Sequence, residues 1–166
     1  MTDNSPPHGP ESDKTAEADD GAMRTELPAD LSSARQARVA VRQALADWRM
    51  EHLSGDAELL ASELVANAAE HGDGNPISLA LHRHAEPGGR PGITCEVSDS
   101  SPDVPRPRQA GPDEERGRGL AIVHALANSS GVRPEPAGKT SWFTLAVTDR
   151  ARQNARQIDR EPEAGG

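Results

Sequence analysis

Cysteine is nearly absent from this chain of 166 residues, in which Cys95 stands alone. A single cysteine excludes an intrachain disulfide, a Cys-clustered zinc site and a small disulfide-stapled extracellular scaffold. Tyrosine is missing altogether, and two Trp and one Phe are the only aromatics. Net basic charge is missing too: 27 acidic residues face 18 basic ones, for a formal net charge of -9. A nucleic-acid-binding module needs a basic patch and stacking aromatics, so direct nucleic-acid recognition is not expected. No apolar run approaches the ~18 residues of a membrane span, and the N-terminus has no apolar signal core. The expectation is a soluble cytoplasmic protein with no membrane partner, built as one domain with tails.

What is present is unevenly placed. Residues 1–26 carry seven acids against Lys14 and Arg24, amid Pro, Gly, Ser and Asp. Such a stretch buries too little apolar surface to offset its ordering entropy, so residues 1–24 are expected to be a disordered acidic tail. A second tail is expected over 151–166, leaving 25–150 as the folded domain.

Within that domain the periodicity predicts a helix over Leu31–Met50, with Val39, Leu45 and Trp48 apolar and Ser32 or Asp30 as its cap. A second helix is predicted over Asp56–Glu70, stopping at Gly72 in the left-handed conformation. Ile77, Leu79 and Leu81 alternate with polar residues as in a half-buried strand, and Ile93, Cys95 and Val97 do the same. Residues 86–92 read as a loop. A Pro-, Arg- and Gly-rich segment from Asp99 to Gly119 precedes a short helix over Leu120–Leu126. Arg133–Gly138 reads as a turn-rich connection to a last strand, with Phe143, Leu145 and Val147 on one face. Strands in hairpin order with helices grouped apart point to an α+β fold.

Three segments carry chemistry. In Glu63-Leu64-Val65-Ala66-Asn67-Ala68-Ala69-Glu70-His71-Gly72, helical spacing puts Glu63, Asn67 and Glu70 on one polar stripe with His71 at its edge. Leu64, Val65, Ala61, Ala68 and Ala69 fall on the opposite side. Glu63 is a candidate proton acceptor, and the neutral Asn67 oxygen suits a hard cation such as Mg²⁺. Taken alone, the stripe reads more simply as a solvated face. In Glu96-Val97-Ser98-Asp99-Ser100-Ser101-Pro102, a strand ends in an acid that suits an exocyclic amine; an Asx turn starting at Asp99 explains it equally well. In Arg116-Gly117-Arg118-Gly119-Leu120, two glycines enter an apolar helix, an arrangement that offers backbone N–H groups to an anion. It is neither a Walker A loop nor a dinucleotide fingerprint.

In this order and at these intervals, the segments resemble the GHKL (Bergerat-fold) ATPases, and most closely the small bacterial anti-sigma-factor serine/threonine kinases and their stand-alone ATP-binding relatives. Glu63-Leu64-Val65-Ala66-Asn67 through His71-Gly72 looks like the N box and Asp99 to Pro102 like the G1 box. Gly117-Arg118-Gly119-Leu120 looks like the G2 box and Gly138-Lys139-Thr140-Ser141-Trp142-Phe143 like the closing strand motif. The resemblance spans residues 25–148. It implies a two-layer α/β sandwich, with a mixed, mostly antiparallel sheet covered on one face by helices.

It further implies ATP and Mg²⁺ as cofactors, with Asn67 holding the metal and Glu63 as general base toward an attacking serine or water. Asp99 would accept from the adenine amino group; Gly117, Arg118, Gly119 and Leu120 would lie at the phosphates, and Val104–Arg118 would form the lid. Thr140 occupies the place where the family offers a hydroxyl near adenine, and His71 is expected to be structural. The implied partners are a phosphoacceptor antagonist of an anti-sigma factor, a sigma factor and a second copy of the chain. Two departures stand out: Ser100-Ser101 replaces the glycine common after the acid, and the lid is short and proline-rich. No phosphoaccepting histidine helix is seen before the domain. The alternatives left open are a nucleotide-responsive binding module without transfer, and a detached histidine-kinase catalytic domain.

Overall fold

The structure, a computed structural model, describes residues 21–86, 88–101 and 118–146. Residues 1–20 of the expected N-terminal tail, the expected tail over 151–166, Val147, Pro102, Arg116, Gly117 and nearly all of the lid lie outside the described residues, and so does the Arg118 side chain. The elements run β1 (Ala22–Leu27), α1 (Ser33–Asp47), a 3-10 turn at Glu51–Leu53, α2 (Ser54–His71), β2 (Ile77–Glu86), β3 (Arg90–Asp99), α3 (Arg118–Leu126), β4 (Ser129–Glu135) and β5 (Gly138–Ala146). The strands form one sheet in the order β1-β2-β3-β5-β4, and every described pairing is antiparallel.

Alternation sets the faces of this sheet. Ile77, Leu79 and Leu81 on β2, Ile93, Cys95 and Val97 on β3, and Phe143 and Leu145 on β5 are all buried. The register stacks them in rows, Leu79 opposite Val97, Leu81 opposite Cys95, and Cys95 opposite Phe143. Against this face lie Ala57, Leu60, Ala61, Leu64, Val65 and Ala68 of α2, with Ala37, Val41, Ala44 and Leu45 of α1 in the same core. Each large aliphatic side chain so buried contributes about 1.5–3 kcal/mol before entropy is counted. Complete burial pushes the Cys95 thiol up, so it packs as a small apolar group rather than a nucleophile.

The two helices are clamped at their outer edges. Arg42 of α1 donates to Glu58 of α2 through Nε at 3.0 Å and Nη2 at 2.5 Å, and the Ser54 hydroxyl adds a bond to the same carboxylate at 2.6 Å. Chiefly through the Arg42 hydrogen bond, the Glu58 carboxyl is held below its ordinary range. At the start of α1, Asp30 Oδ1 accepts from the Ser32 amide at 2.7 Å and its hydroxyl at 2.6 Å.

Several expectations change here. β1 takes in Ala22–Arg24, which a tail ending at residue 24 leaves out, and β4 occupies part of the stretch read as a turn. Val39 is 58% exposed, so the core face of α1 is Ala37-Val41-Ala44-Leu45. Residues 86–92 are not a broad loop, because β2 and β3 join through a tight turn at Gly88-Gly89. Gly72 is extended rather than left-handed, with φ -74 and ψ 164; it is suited to its place because a Cβ would lie 2.6 Å from the Ala68 carbonyl oxygen.

The left-handed helix terminus is found instead after α1. Met50 N–H bonds to the Leu45 carbonyl at 2.7 Å and Arg49 N–H to Ala46 at 3.0 Å, which closes a Schellman motif with Arg49 at φ 57. A side chain there is strained, where glycine is not. Arg49→Gly is therefore expected to raise stability by about 0.5–1 kcal/mol, read as a higher urea midpoint with an unchanged slope.

Candidate functional site

The polar stripe of α2 is the first component. The helix buries Leu64, Val65 and Ala68 and leaves Glu63 and Asn67 half-buried, with Glu70 and His71 exposed beyond them. Alanines at 57, 61 and 68 keep the buried side of α2 slim. Among the described residues, no side-chain hydrogen bond or ion pair commits either Glu63 or Asn67. Both remain available to a ligand.

The second component is the start of α3. Gly119 lies against Glu63: a Cβ on residue 119 would run into the Glu63 Oε2 and sit 3.5 Å from its Cδ. The packing of Leu120, Ile122 and Val123 against the main core holds α3 in this position. The helix thus presents its N-terminal backbone beside a carboxylate, an approach that residue 119 permits by having no side chain.

The third component is the end of β3. Asp99 pairs in register with Lys139 at the start of β5, and its Oδ1 accepts from Lys139 Nζ at 3.0 Å. Both side chains are out of solvent, at 2% exposure for Lys139 and 4% for Asp99. The same Oδ1 accepts from the Ser101 amide at 2.8 Å, so an Asx turn is indeed formed. Ser100 donates its hydroxyl to Asp73 and accepts from Asn75 Nδ2 at 3.1 Å, tying the loop after α2 to the end of β3. That Ser100 bond is the main reason the Asp73 carboxyl lies below its ordinary value. The two serines that replace a glycine in this turn are therefore both engaged.

The structure does not bring Thr140 to Asp99. Residues 139, 141, 143 and 145 share the face of β5 that meets the helices, and Thr140 points to the other face. There its hydroxyl pairs with Ser98 at 2.8 Å and reaches Glu135 at 3.4 Å, beside the Arg133–Glu96 ion pair of 3.2 Å. The residue of this strand that meets Asp99 is Lys139. Counting back from Phe143 in steps of two finds it in the sequence, once the strand is known to start at Gly138.

Gly119 at the start of α3 thus meets Glu63 of α2, with Asn67 one turn along the same helix, and Asp99 stands at the end of β3. Among the described residues no three His, Cys, Asp or Glu side chains form a metal cluster, and no helix is long and apolar enough to cross a membrane. A cavity of about 420 Å³ lined by Trp48, Arg49, His52, Arg83 and His84 shares no residue with this site.

Two glycines of the site are expected to respond differently to a methyl group. Gly138 has φ 149, and a Cβ there would overlap the Asp99 carbonyl and lie 2.8 Å from Ser100 Cα. Backbone cannot move aside cheaply, so Gly138→Ala is expected to cost about 2 kcal/mol or more. Gly119→Ala meets only the far end of a side chain, and its stability is expected to stay within about 1 kcal/mol of the parent. Equilibrium urea denaturation of both variants measures the contrast.

Comparison with known proteins adds the family. Residues 27–145 match the family described as the histidine kinase-like ATPase domain. Among solved structures, the chain is similar to the histidine kinase domain of a blue-light activated histidine kinase, EL346, from Erythrobacter litoralis. The identity is 19% over 68% of this chain and 51% of that one, with a TM-score of 0.40, so the chain spans about half the length of that protein. The family match covers most of the chain and takes in every described helix. The chain belongs to the histidine kinase-like ATPase domain family of GHKL type.

Proposed function

We propose that this domain binds ATP with Mg²⁺ and transfers the γ-phosphoryl group to a serine or threonine of a small protein antagonist of an anti-sigma factor. The observation that carries this reading is the approach of Gly119 to Glu63, with Asn67 one helical turn further along α2. Phosphoryl transfer asks for positioning, charge neutralisation and a base beside the nucleophile, with little covalent chemistry from the protein. The start of α3 offers its N-terminal backbone to phosphate oxygens. Gly117 and the lid extend this segment outside the described residues.

The residues fit the metal. The absence of a Cβ at Gly119 lets the backbone of α3 approach Glu63, on the same helix stripe as Asn67. One neutral oxygen donor suits Mg²⁺, which keeps waters and takes substrate phosphate oxygens rather than a full protein cage. Bound there, Mg²⁺ supplies neutralisation of phosphate charge. Asn67 would hold it, leaving Glu63 free to act as a base.

In the transfer step the Glu63 carboxylate takes the proton of the acceptor hydroxyl as its oxygen bonds to the γ-phosphorus. The bond to the β–γ bridging oxygen breaks, and ADP carries away that electron pair. At the other end Asp99 accepts from the adenine amino group. A sigma factor is the further partner proposed, bound through another surface, and a homodimer is the proposed assembly.

Expected outcomes separate the roles. Asn67→Ala abolishes Mg²⁺-dependent ATP binding by calorimetry, and Asp99→Ala weakens it at least about tenfold. Glu63→Gln keeps binding and lowers transfer or hydrolysis about 100-fold or more. Incubating the protein with γ-labelled ATP and a bacterial lysate should label a protein on serine or threonine. An acid-labile histidine adduct would point instead to the histidine-kinase reading, and binding with no label in any condition to the non-transferring module.

A further inference from the structure

We propose that Lys139 is the positioning residue for base recognition: its buried ammonium fixes Asp99 as an acceptor-only group and so sets the preference for a 6-amino over a 6-oxo purine nucleotide. The inference rests on the reading of Asp99 as the base contact.

The arrangement is built in at three levels. Strand register places Asp99 and Lys139 directly opposite each other, and alternation turns both toward the helix-covered face. Lys139 has 2% exposure, so its charge is withdrawn from water and has the Asp99 carboxylate 3.0 Å away as its counter-ion. The absence of a side chain at Gly138, where a Cβ would overlap the Asp99 carbonyl, lets the two strand ends approach this closely.

The hydrogen bonding is one-sided. Lys139 Nζ and the Ser101 amide both bond to Oδ1, while among the described residues nothing donates to Oδ2. Two donors on one oxygen fix the plane of the carboxylate and leave the second oxygen to a ligand. An ionised carboxylate only accepts hydrogen bonds. A 6-amino group donates and satisfies it; a 6-oxo group only accepts, and two acceptors brought together are left unpaired at a cost. Removing the ammonium leaves the buried carboxylate without its counter-charge and frees its plane, so it no longer discriminates between a donor and an acceptor at the 6-position. Either purine is then accommodated.

Lys139 touches no part of the nucleotide under this proposal, so the telling measurement is selectivity rather than affinity. ATP and ITP share ribose and triphosphate and differ at the 6-position and N1 of the base. Calorimetric titration of the full chain with each nucleotide and Mg²⁺ gives the ratio of their dissociation constants. The parent is expected to favour ATP by at least about tenfold. Lys139→Met is expected to bring the ratio near one, and Lys139→Arg, which keeps the charge, to restore most of it. Lys139→Gln can still donate to Asp99 without the charge; it carries the same expected loss of selectivity should the Met variant fail to fold. A merely structural lysine would weaken both nucleotides alike. An unchanged ratio in folded Lys139→Met or Lys139→Gln therefore overturns the proposal. Asp99→Ala separates the two levels. If it leaves ATP affinity intact, the base-contact reading falls and this inference with it. If it loses affinity while the Lys139 variants keep the parental ratio, the Lys139 proposal alone is wrong.

Discussion

A carboxylate and an ammonium withdrawn from water together, Asp99 and Lys139, set the geometry at the end of the sheet. Taking either charge out of water costs several kcal/mol, and the attraction between them offsets this only when the contact is close and further hydrogen bonds are made. Both conditions hold, with 3.0 Å between Nζ and Oδ1 and 2.8 Å from the Ser101 amide to the same oxygen. Such a pair tolerates little displacement of its backbones. Gly138, packed without a side chain on the Asp99 carbonyl, lets β5 begin directly beside the end of β3. With the register fixed there, alternation carries Ser141, Phe143 and Leu145 onto the helices and sends Thr140 to the far face.

The helix layer answers a related constraint. The inner face of α2 carries Ala57, Ala61 and Ala68 among larger residues, and its polar stripe lies outside that buried face. Glu63 and Asn67 are four residues apart on that stripe, which stacks them along the axis. The absence of a side chain at residue 119 admits α3 against the same stripe. Small residues do the positioning here, while the polar groups they position stay uncommitted within the protein.

Much of this is legible in the sequence because the inner strands and α2 are patterned by burial. Ile77-Leu79-Leu81 and Ile93-Cys95-Val97 alternate since one face of each meets helices. β1 and β4 are the two edge strands, and the six residues Ala22–Leu27 and seven residues Ser129–Glu135 carry only a weak alternation. An edge strand packs on fewer neighbours and favours charge and proline, so its pattern resembles a tail or a turn. Val39 misleads for the opposite reason, since an isolated exposed apolar residue on a helix mimics the core stripe. The site motifs are legible as types and order. Which face of β5 meets Asp99 is not, because a one-residue shift of a strand exchanges its faces. Lys139 does not stand out within the closing strand motif until the register is known, because a lysine is rarely buried in a dry interior.

The same pair bears on how a chain with a formal net charge of -9 accommodates the strongly anionic ligand of the proposed function. Long-range repulsion is screened over about 8–10 Å at ordinary salt, so the local charges decide. At the proposed base end Lys139 balances Asp99, and the carboxylate would offer a directed acceptor without an unbalanced negative field. At the phosphate end Glu63 is opposed by the N-terminal dipole of α3, and the metal proposed at Asn67 adds positive charge at the phosphates. In the proposed function, local neutrality at one end and positive charge at the other would orient a triphosphate along the site. In that proposal Asp99 serves less as a negative charge than as a hydrogen-bond acceptor held in place by the Lys139 ammonium at 3.0 Å.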